Sequence, residues 1–455
     1  MPSPRLYLAM NSFSAALGGL LFGFDTAVIS GTIPFITKYF TLSDAMLGWA
    51  VSTALIGCVV GSLSVGKPGD LFGRRLMLKI MALLFIVSAV GTGLANSLTV
   101  FVLFRFIGGL AIGGASVLAP MYISEIAPAR MRGRLVAINQ LAIVTGILLA
   151  FFSNYLLVNT GDYNWRWMFI AGAVPALLFF ILLFFVSQSP RWLVLMGRPD
   201  DARKVIARLN PGTDIEPELN EIIQSTRSNE SGIRVKIFRK PYTRIVLIGM
   251  MLGVFSQLTG INVIMYYAPS IFQAAGFSSD SALIQTVIIG ATNLVFTLLG
   301  MSLIDKIGRK VLLMAGALGM AFFLGLIALG MTYQFLGGFV LLACVVGFTA
   351  SFASTMGVVV WVFLSEMFPN SIRSRGTAIS SFAVWVANCA TAFLFPIVMG
   401  HFGTAPVFGF YCLATLISFF FYWRYLVETK GKSLEELEDI VLRRRGTEED
   451  ETVRL

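Results

Sequence analysis

Twelve long apolar segments, joined by short polar loops, make up most of the chain. Each segment is long enough, at 1.5 Å per residue, to cross the roughly 30 Å hydrocarbon core of a bilayer as a helix. The predicted spans lie near residues 7–31, 45–66, 76–96, 100–124, 135–158, 166–187, 243–271, 283–304, 311–331, 336–365, 376–398 and 405–427. The pattern therefore predicts an all-α membrane protein with twelve transmembrane helices.

A polar stretch divides the spans into six and six, and the two halves carry the same loop motifs. The repeated motifs are Asp70–Arg75 with Asp305–Lys310, and Glu125 plus Arg132 with Glu366 plus Arg373. Such a duplication predicts two six-helix bundles related by pseudo-twofold symmetry, with a site between them near the bilayer midplane. The predicted domains are an N-terminal bundle (1–193), short cytoplasmic linker helices (194–242), a C-terminal bundle (243–430) and a cytoplasmic tail (431–455).

The charge distribution predicts the orientation of the spans. The net charge is +10, yet only 13% of the residues are charged, and the basic residues concentrate in alternate short loops. Basic loops tend to stay in the cytoplasm, so both termini and the linker are predicted to be cytoplasmic. The excess of basic residues is therefore explained by the membrane topology. We expect a monomer in the cell membrane, with the lipid bilayer and a small substrate as partners and no nucleic acid.

Residues suited to enzyme chemistry or metal binding are sparse. The only histidine is His401, and the four cysteines lie singly in apolar segments without paired spacing. Isolated cysteines of this kind are small core residues. We therefore expect no enzymatic activity, no metal site and no bound cofactor.

A lone carboxylate and a lone guanidinium fall within apolar spans. Asp25 lies about six residues before the predicted end of the first span at Gly31, and Arg105 lies about six residues into the fourth. Both should lie about 9 Å below the outer surface. An unpaired charge there costs roughly 2.5–3.5 kcal/mol, so the two are predicted to form an ion pair. The pair could couple protons to transport, or it could only fix helix packing.

Motifs along the whole chain resemble those of the sugar porter branch of the major facilitator superfamily. They are GGLLFGFDTAVISG (18–31), GKPGDLFGRR (66–75), SEIAPARMRGR (124–134), SPRWL (189–193), QLTGIN (257–262), DKIGRK (305–310), WVFLSEMFPNSIRSRG (361–376) and ETKG (428–431). An aspartate at this position in the first span makes the chain similar to the bacterial proton-coupled members, which transport sugars such as xylose, glucose, arabinose or galactose. The resemblance implies the major facilitator fold and import of a monosaccharide with a proton by alternating access. It also implies that Asp25 and Arg105 form the proton-coupling site.

The resemblance further implies a set of substrate-binding residues. Their amides and aromatic rings suit the hydroxyls and apolar faces of a sugar, and they are Phe22, Gln140, Gln257, Asn262, Asn293, Trp361, Trp385 and Asn388. Tyr266 and Tyr267 resemble the extracellular gate of the family. An isolated amide could instead link two helices.

Four positions depart from the family pattern. Ser256 and Val384 stand where longer polar side chains are common, and Val358 stands at a usual proline. Gln188 replaces the glutamate common before Ser-Pro-Arg, whereas Glu428 is kept in the second half. The alternatives to symport are a uniporter or exchanger of sugars or of polyols such as inositol, and a non-transporting sugar sensor.

Charged residues of the cytoplasmic loops are predicted to form a latch. These latch residues are Asp70, Arg74, Arg75, Glu125, Arg132, Asp305, Arg309, Glu366 and Arg373. We expect ion pairs across the two halves that favour the outward-open state and break when the inside opens. Exposed pairs contribute only about 0–1 kcal/mol each, so a network would be needed. The alternative is that these charges only set the topology.

Overall fold

All regular secondary structure in the described part of the chain is helical. The structure is a computed structural model that describes residues 4–127, 132–209, 215–230, 242–333, 337–369 and 372–430. The helices are α1 (Pro4–Phe40), α2 (Asp44–Ser64), α3 (Gly66–Phe72), α4 (Arg74–Gly93), α5 (Leu98–Ile126), α6 (Arg132–Leu157), α7 (Asn164–Ala171), α8 (Ala173–Leu182), α9 (Pro190–Leu195), α10 (Pro199–Leu209), α11 (Glu216–Glu230), α12 (Thr243–Gln257), α13 (Ile261–Ala274), α14 (Ser279–Ile307), α15 (Arg309–Thr332), α16 (Gly338–Ala353), α17 (Met356–Glu366), α18 (Arg373–Phe402) and α19 (Thr404–Tyr425).

Twelve of the resulting helical segments are long and apolar enough to cross a membrane, which confirms the predicted number. Three spans consist of two helices each, namely α7 with α8, α12 with α13, and α16 with α17. The predicted end of the first span at Gly31 is wrong, because α1 continues to Phe40 and contains Pro34. A transmembrane helix tolerates proline when neighbouring groups satisfy the freed backbone.

Two spans break at positions that the sequence pattern did not indicate. The seventh breaks just after α12, where Gly260 has a φ of 81°, which favours glycine. Pro269 lies inside α13 and does not break it. The tenth breaks at Ser354 and Thr355, and Val358 lies inside the following helix α17. The tenth span is therefore interrupted although Val358 stands in place of the proline that the family pattern would supply.

By proximity of its residues the chain divides into two compact units. The first comprises Met1–Ile233, Tyr266–Ser270 and Ser278–Gly290, and the second comprises Arg234–Met265, Ile271–Phe277 and Ala291–Leu455. The domain boundaries proposed from the sequence stay a prediction.

Backbone contact between helices characterises the first unit. A Cβ atom added to Gly109 on α5 would lie 2.0 Å from the carbonyl oxygen of Ala54 on α2, and one added to Gly113 would lie 2.1 Å from that of Cys58. Glycines four residues apart allow transmembrane helices to approach this closely. Arg105 lies one turn before Gly109, so this contact holds the helix that carries it.

In the second unit, a glycine of α12 packs closely against a side chain of α18. A Cβ atom added to Gly253 would lie 2.8 Å from Cγ2 of Val384. Val384 is buried, so this departure from the family pattern fills space between two helices.

The stretch between the sixth and seventh spans contains the helices α10 and α11. Their apolar faces pack with α9 around Leu193, Ala202, Ile206 and Leu219. The indole of Trp192 donates a hydrogen bond to the carbonyl oxygen of Asp70 at 2.8 Å, which links this cluster to α3 within the first unit. The tail, 431–455, lies outside the described residues.

Candidate functional site

The first candidate site is the ion pair between α1 and α5. A guanidinium nitrogen of Arg105, Nη1, lies 2.9 Å from Oδ2 of Asp25. The Arg105 side chain is 2% exposed and that of Asp25 is 14% exposed. Nη2 also donates to the main-chain oxygen of Asp25 at 3.4 Å. The ion pair predicted from the sequence is thus present, although the depth argument for it used a span end at Gly31 that the structure does not have. The role of the pair in proton coupling stays a prediction.

The surroundings of this pair are almost entirely apolar. The guanidinium carbon of Arg105 lies 5.5 Å from the ring centroid of Phe169, which is close enough for a cation–π interaction. Its Nε has no hydrogen-bond partner among the described residues. A small cavity touches Asp25 and is lined otherwise by Leu21, Phe24, Val28, Phe85, Ala89, Phe169 and Gly172. Among the described residues, Asp25 is the only carboxylate that pairs with Arg105, so loss of the Asp25 charge would leave a buried cation facing an aromatic ring.

Phe169 was not identified from the sequence. It lies in α7, far along the chain from both charged residues, and it stands in an apolar segment with no distinguishing pattern. Only the packing of α7 against α1 and α5 brings its ring to the guanidinium.

The second candidate site is a group of amides at the break between α12 and α13. Asn262 Nδ2 donates to Gln257 Oε1 at 2.6 Å, and Gln257 Nε2 donates to Ser256 Oγ at 3.0 Å. Ser256 Oγ in turn donates to the carbonyl oxygen of Gly253 at 2.7 Å. The left-handed Gly260 turns the chain so that the last residue of α12 meets the first turn of α13.

Ser256 therefore makes a contact that its departure from the family pattern did not suggest, because it accepts a hydrogen bond from Gln257. The shorter side chain supplies no long polar arm, but its hydroxyl orients the neighbouring Gln257 amide. In the sequence, this contact is indicated only by the position of Ser256 directly before Gln257.

The other predicted substrate residues lie on five further helices. Asn293 on α14 is buried, as are Trp385 and Asn388, which lie three residues apart on α18 and so share a face. Trp361 on α17 is 43% exposed. Phe22 on α1 and Gln140 on α6 are half-buried. Their part in substrate binding stays a prediction, as does the gate role of Tyr266 and Tyr267, which are buried in α13.

Latch residues of the first unit pair with one another. Arg74 contacts Asp70 at 2.8 Å and Glu125 at 3.0 Å, and it donates to the carbonyl oxygen of Gly69. Arg75 instead donates to the carbonyl oxygens of Leu183 and Phe184 after α8. The side chain of Arg132 lies outside the described residues.

The second unit repeats this arrangement. Arg309 contacts Asp305 and Glu366, each at 3.1 Å. Glu366 also accepts a hydrogen bond from Thr429, and Arg373 donates to the carbonyl oxygen of Phe368. These pairs lie within each unit and were not foreseen. The predicted pairing across the two halves stays a prediction.

Glu428 caps the first turn of α15. Its carboxylate accepts hydrogen bonds from the backbone nitrogens of Arg309 at 2.8 Å and Lys310 at 3.0 Å, and from those of Thr429 and Lys430. Burial raises the pKa of Glu428, but these four hydrogen bonds outweigh it, and the pKa lies below its ordinary value.

Gln188 occupies the corresponding place in the first unit. A Cβ atom added to Gly73 would lie 3.2 Å from its Oε1, as one added to Gly308 would lie 2.7 Å from Oε2 of Glu428. The Gln188 Oε1 has no hydrogen-bond partner among the described residues. The two units are therefore capped unequally.

Comparison with known proteins identifies the family. The family model described as "Sugar (and other) transporter" matches residues 11–441. The chain belongs to this sugar transporter family. It is 40% identical over 472 residues to the D-xylose-proton symporter of Escherichia coli (strain K12), covering 95% of each chain. It is 37% identical over 440 residues to the arabinose-proton symporter of Bacillus subtilis (strain 168), again covering 95% of each.

The fold of this sugar transporter family member is that of the major facilitator superfamily. The inward-open structure of the xylose transporter XylE from E. coli matches it with a TM-score of 0.84 and 38% identity, over 95% of this chain and 100% of the other. The chain is thus a multi-pass membrane protein of a transporter family and not an enzyme.

Proposed function

We propose that this protein imports a monosaccharide together with a proton by alternating access, with Asp25 as the proton site. The observation that carries the proposal is the ion pair of Asp25 and Arg105, buried among apolar side chains of the first unit. A charge in such a place is costly unless paired, so protonation of one member changes the stability of the surrounding helices. No other cofactor is needed, because the proton itself supplies the driving force.

The substrate class follows from the site chemistry and from the relatives. Linked amides such as those of Gln257 and Asn262 donate and accept hydrogen bonds, which suits a polyhydroxylated ligand. Two relatives are named for xylose and arabinose, so a pentose is the first candidate.

The basic loops favour cytoplasmic termini, and we propose that the transporter acts as a monomer.

The test is uptake into proteoliposomes with a panel of labelled sugars and inositol, with and without an imposed proton gradient. One charge crossing 100 mV is worth roughly 2.3 kcal/mol, so one proton per sugar sustains accumulation of about 50-fold. We expect that only an imposed gradient produces accumulation and that the Asp25→Asn variant retains exchange but does not accumulate. Unchanged accumulation by this variant would refute the proton site, and equilibration without accumulation by the natural protein would indicate a uniporter.

A further inference from the structure

Two cations that have no carboxylate partner among the described residues meet at one end of the first unit. Arg75, in the first turn of α4, donates to the carbonyl oxygens of Leu183 and Phe184 at the end of α8. Lys79, one turn further along the same face of α4, places its ammonium nitrogen 3.6 Å from the ring centroid of Phe184. Both cations are therefore held against the same end of α8.

No carboxylate balances these charges among the described residues. Neither Arg75 nor Lys79 lies within ion-pair distance of an aspartate or glutamate there, whereas the adjacent Arg74 has two acidic partners. In the part of the chain that the structure describes, their contacts are with peptide carbonyl oxygens and an aromatic ring, and the two cations lie close enough to repel each other. Among the described residues, the site thus carries positive charge that no carboxylate neutralises.

The surface around the two cations is apolar and outward-facing. Lys79 lies about 7.5 Å along α4 from the start of that helix, a depth from which a lysine can extend its ammonium group to the interface. Exposed apolar side chains lie along α4, along α8 and in the residues just after α8, and Phe185 is the most exposed of these at 66%. The flanking residues are Leu76, Ile80, Leu83, Leu177, Leu178, Ile181, Phe184 and Phe185. In a multi-pass membrane protein such a surface faces lipid.

The internal repeat shows that the fold does not require the second cation. Arg75 corresponds to Lys310, which likewise donates to a main-chain oxygen, that of Trp423. Lys79 corresponds to Met314 at the same offset of 235 residues, and both are half-buried. A basic contact to the main chain of the sixth membrane span in each half, at or just beyond its end, is therefore common to both halves, while the lysine is specific to the first.

We propose that Arg75, Lys79 and Phe184 bind the headgroup of an anionic phospholipid in the leaflet on the side of the basic loops. A phosphate oxygen can accept hydrogen bonds from both the guanidinium and the ammonium group. The acyl chains then lie along the exposed apolar side chains of α4 and α8. A zwitterionic lipid is disfavoured, because its own cationic group would add positive charge next to Arg75 and Lys79, which no carboxylate among the described residues neutralises. Attraction of a basic residue to an anionic membrane surface is worth about 1 kcal/mol.

The test is native mass spectrometry of the full-length protein in detergent, titrated with phosphatidylglycerol or phosphatidylcholine. We expect the Lys79→Met variant to bind phosphatidylglycerol about fivefold more weakly, which corresponds to about 1 kcal/mol. Lys79→Arg should keep the binding. The matched control is Lys306→Met, which removes an exposed charge from the second unit and should leave the binding unchanged.

Three results would overturn the proposal. The first is that the natural protein binds the two lipids with equal affinity. The second is that Lys79→Met binds phosphatidylglycerol as tightly as the natural protein does. The third is that Lys306→Met loses as much affinity as Lys79→Met, which would indicate attraction to net charge alone. Methionine already occupies the corresponding position in the second unit, so Lys79→Met should fold, and Lys79→Gln offers a second loss of charge. Sugar uptake plays no part in this test, so its outcome is independent of the transport proposal.

Discussion

The unequal caps of the two units lead to a prediction about local stability. Replacement of Glu428 by Gln removes the negative charge but keeps one acceptor for the backbone nitrogens of Arg309 and Lys310. Replacement by Ala removes both. We expect the first turn of α15 to open more often in both variants, and more so in Glu428→Ala.

The magnitude follows from the two helix-capping hydrogen bonds and the charge. Loss of a helix cap costs about 1 kcal/mol, and loss of a negative charge at a helix N-terminus costs about 0.3–1 kcal/mol. Glu428→Gln should therefore cost about 1 kcal/mol and speed local opening about fivefold, whereas Glu428→Ala should cost about 2 kcal/mol and speed it about 30-fold.

Hydrogen exchange of the backbone amides at the start of α15 measures this opening. The start of α4 serves as the matched control, because there Gln188 stands in place of the glutamate. In the natural protein the α15 amides should exchange more slowly than those of α4. Gln188→Glu should slow exchange at α4 about fivefold and leave α15 unchanged.

The pH dependence has a defined sign. Since the folded pKa of Glu428 is lowered, its stabilisation is fully present above the ordinary glutamate pKa of about 4.3 and is lost as the pH falls through the lower folded value. The reasoning is refuted if Glu428→Ala exchanges at the natural rate, or if Gln188→Glu accelerates exchange at α4.

Three further predictions concern packing and binding. Asp25→Leu should destabilise the protein by about 3–5 kcal/mol, because Arg105 keeps a buried unpaired charge, and adding Arg105→Leu should restore most of the loss in denaturant unfolding. Gly109→Val should abolish the yield of monodisperse protein, since its Cβ would lie 2.0 Å from a main-chain oxygen of α2, whereas Gly409→Ala meets open space and should purify normally. Asn262→Ala should raise KM for the transported sugar by about 5- to 150-fold, because it leaves a polar partner unsatisfied; an unchanged KM in uptake assays would contradict its role in binding.

The Asp25–Arg105 contact could be predicted from the sequence because few alternatives existed. Both residues lie in apolar spans, and the cost of an isolated charge in a membrane leaves pairing as the favourable outcome. The loop charges have many possible partners, so the pairs within each unit, Arg74 with Glu125 and Arg309 with Glu366, were not foreseen. Their partners depend on how neighbouring helices are rotated and joined.

The helix breaks and the amide group show a second limit of sequence patterns. Pro269 is the more obvious helix breaker, yet it lies inside α13, and the break falls at Gly260. Whether a proline interrupts a transmembrane helix depends on nearby groups that satisfy the backbone, and these come from other helices. The same break brings Gln257 to Asn262, so the amide group could not be derived without it.

The amino-acid sequence by itself determined the number, order and apolar character of the twelve spans and the resemblance to sugar porters. These properties follow from local composition, because transfer of a segment into a bilayer depends on its own residues. Only the tertiary structure decided that Phe169 faces Arg105, that Ser256 orients Gln257, and that Lys79 lies beside the ring of Phe184. Each of these depends on the rotation of a helix about its axis and on contacts with distant segments, which no window of sequence contains.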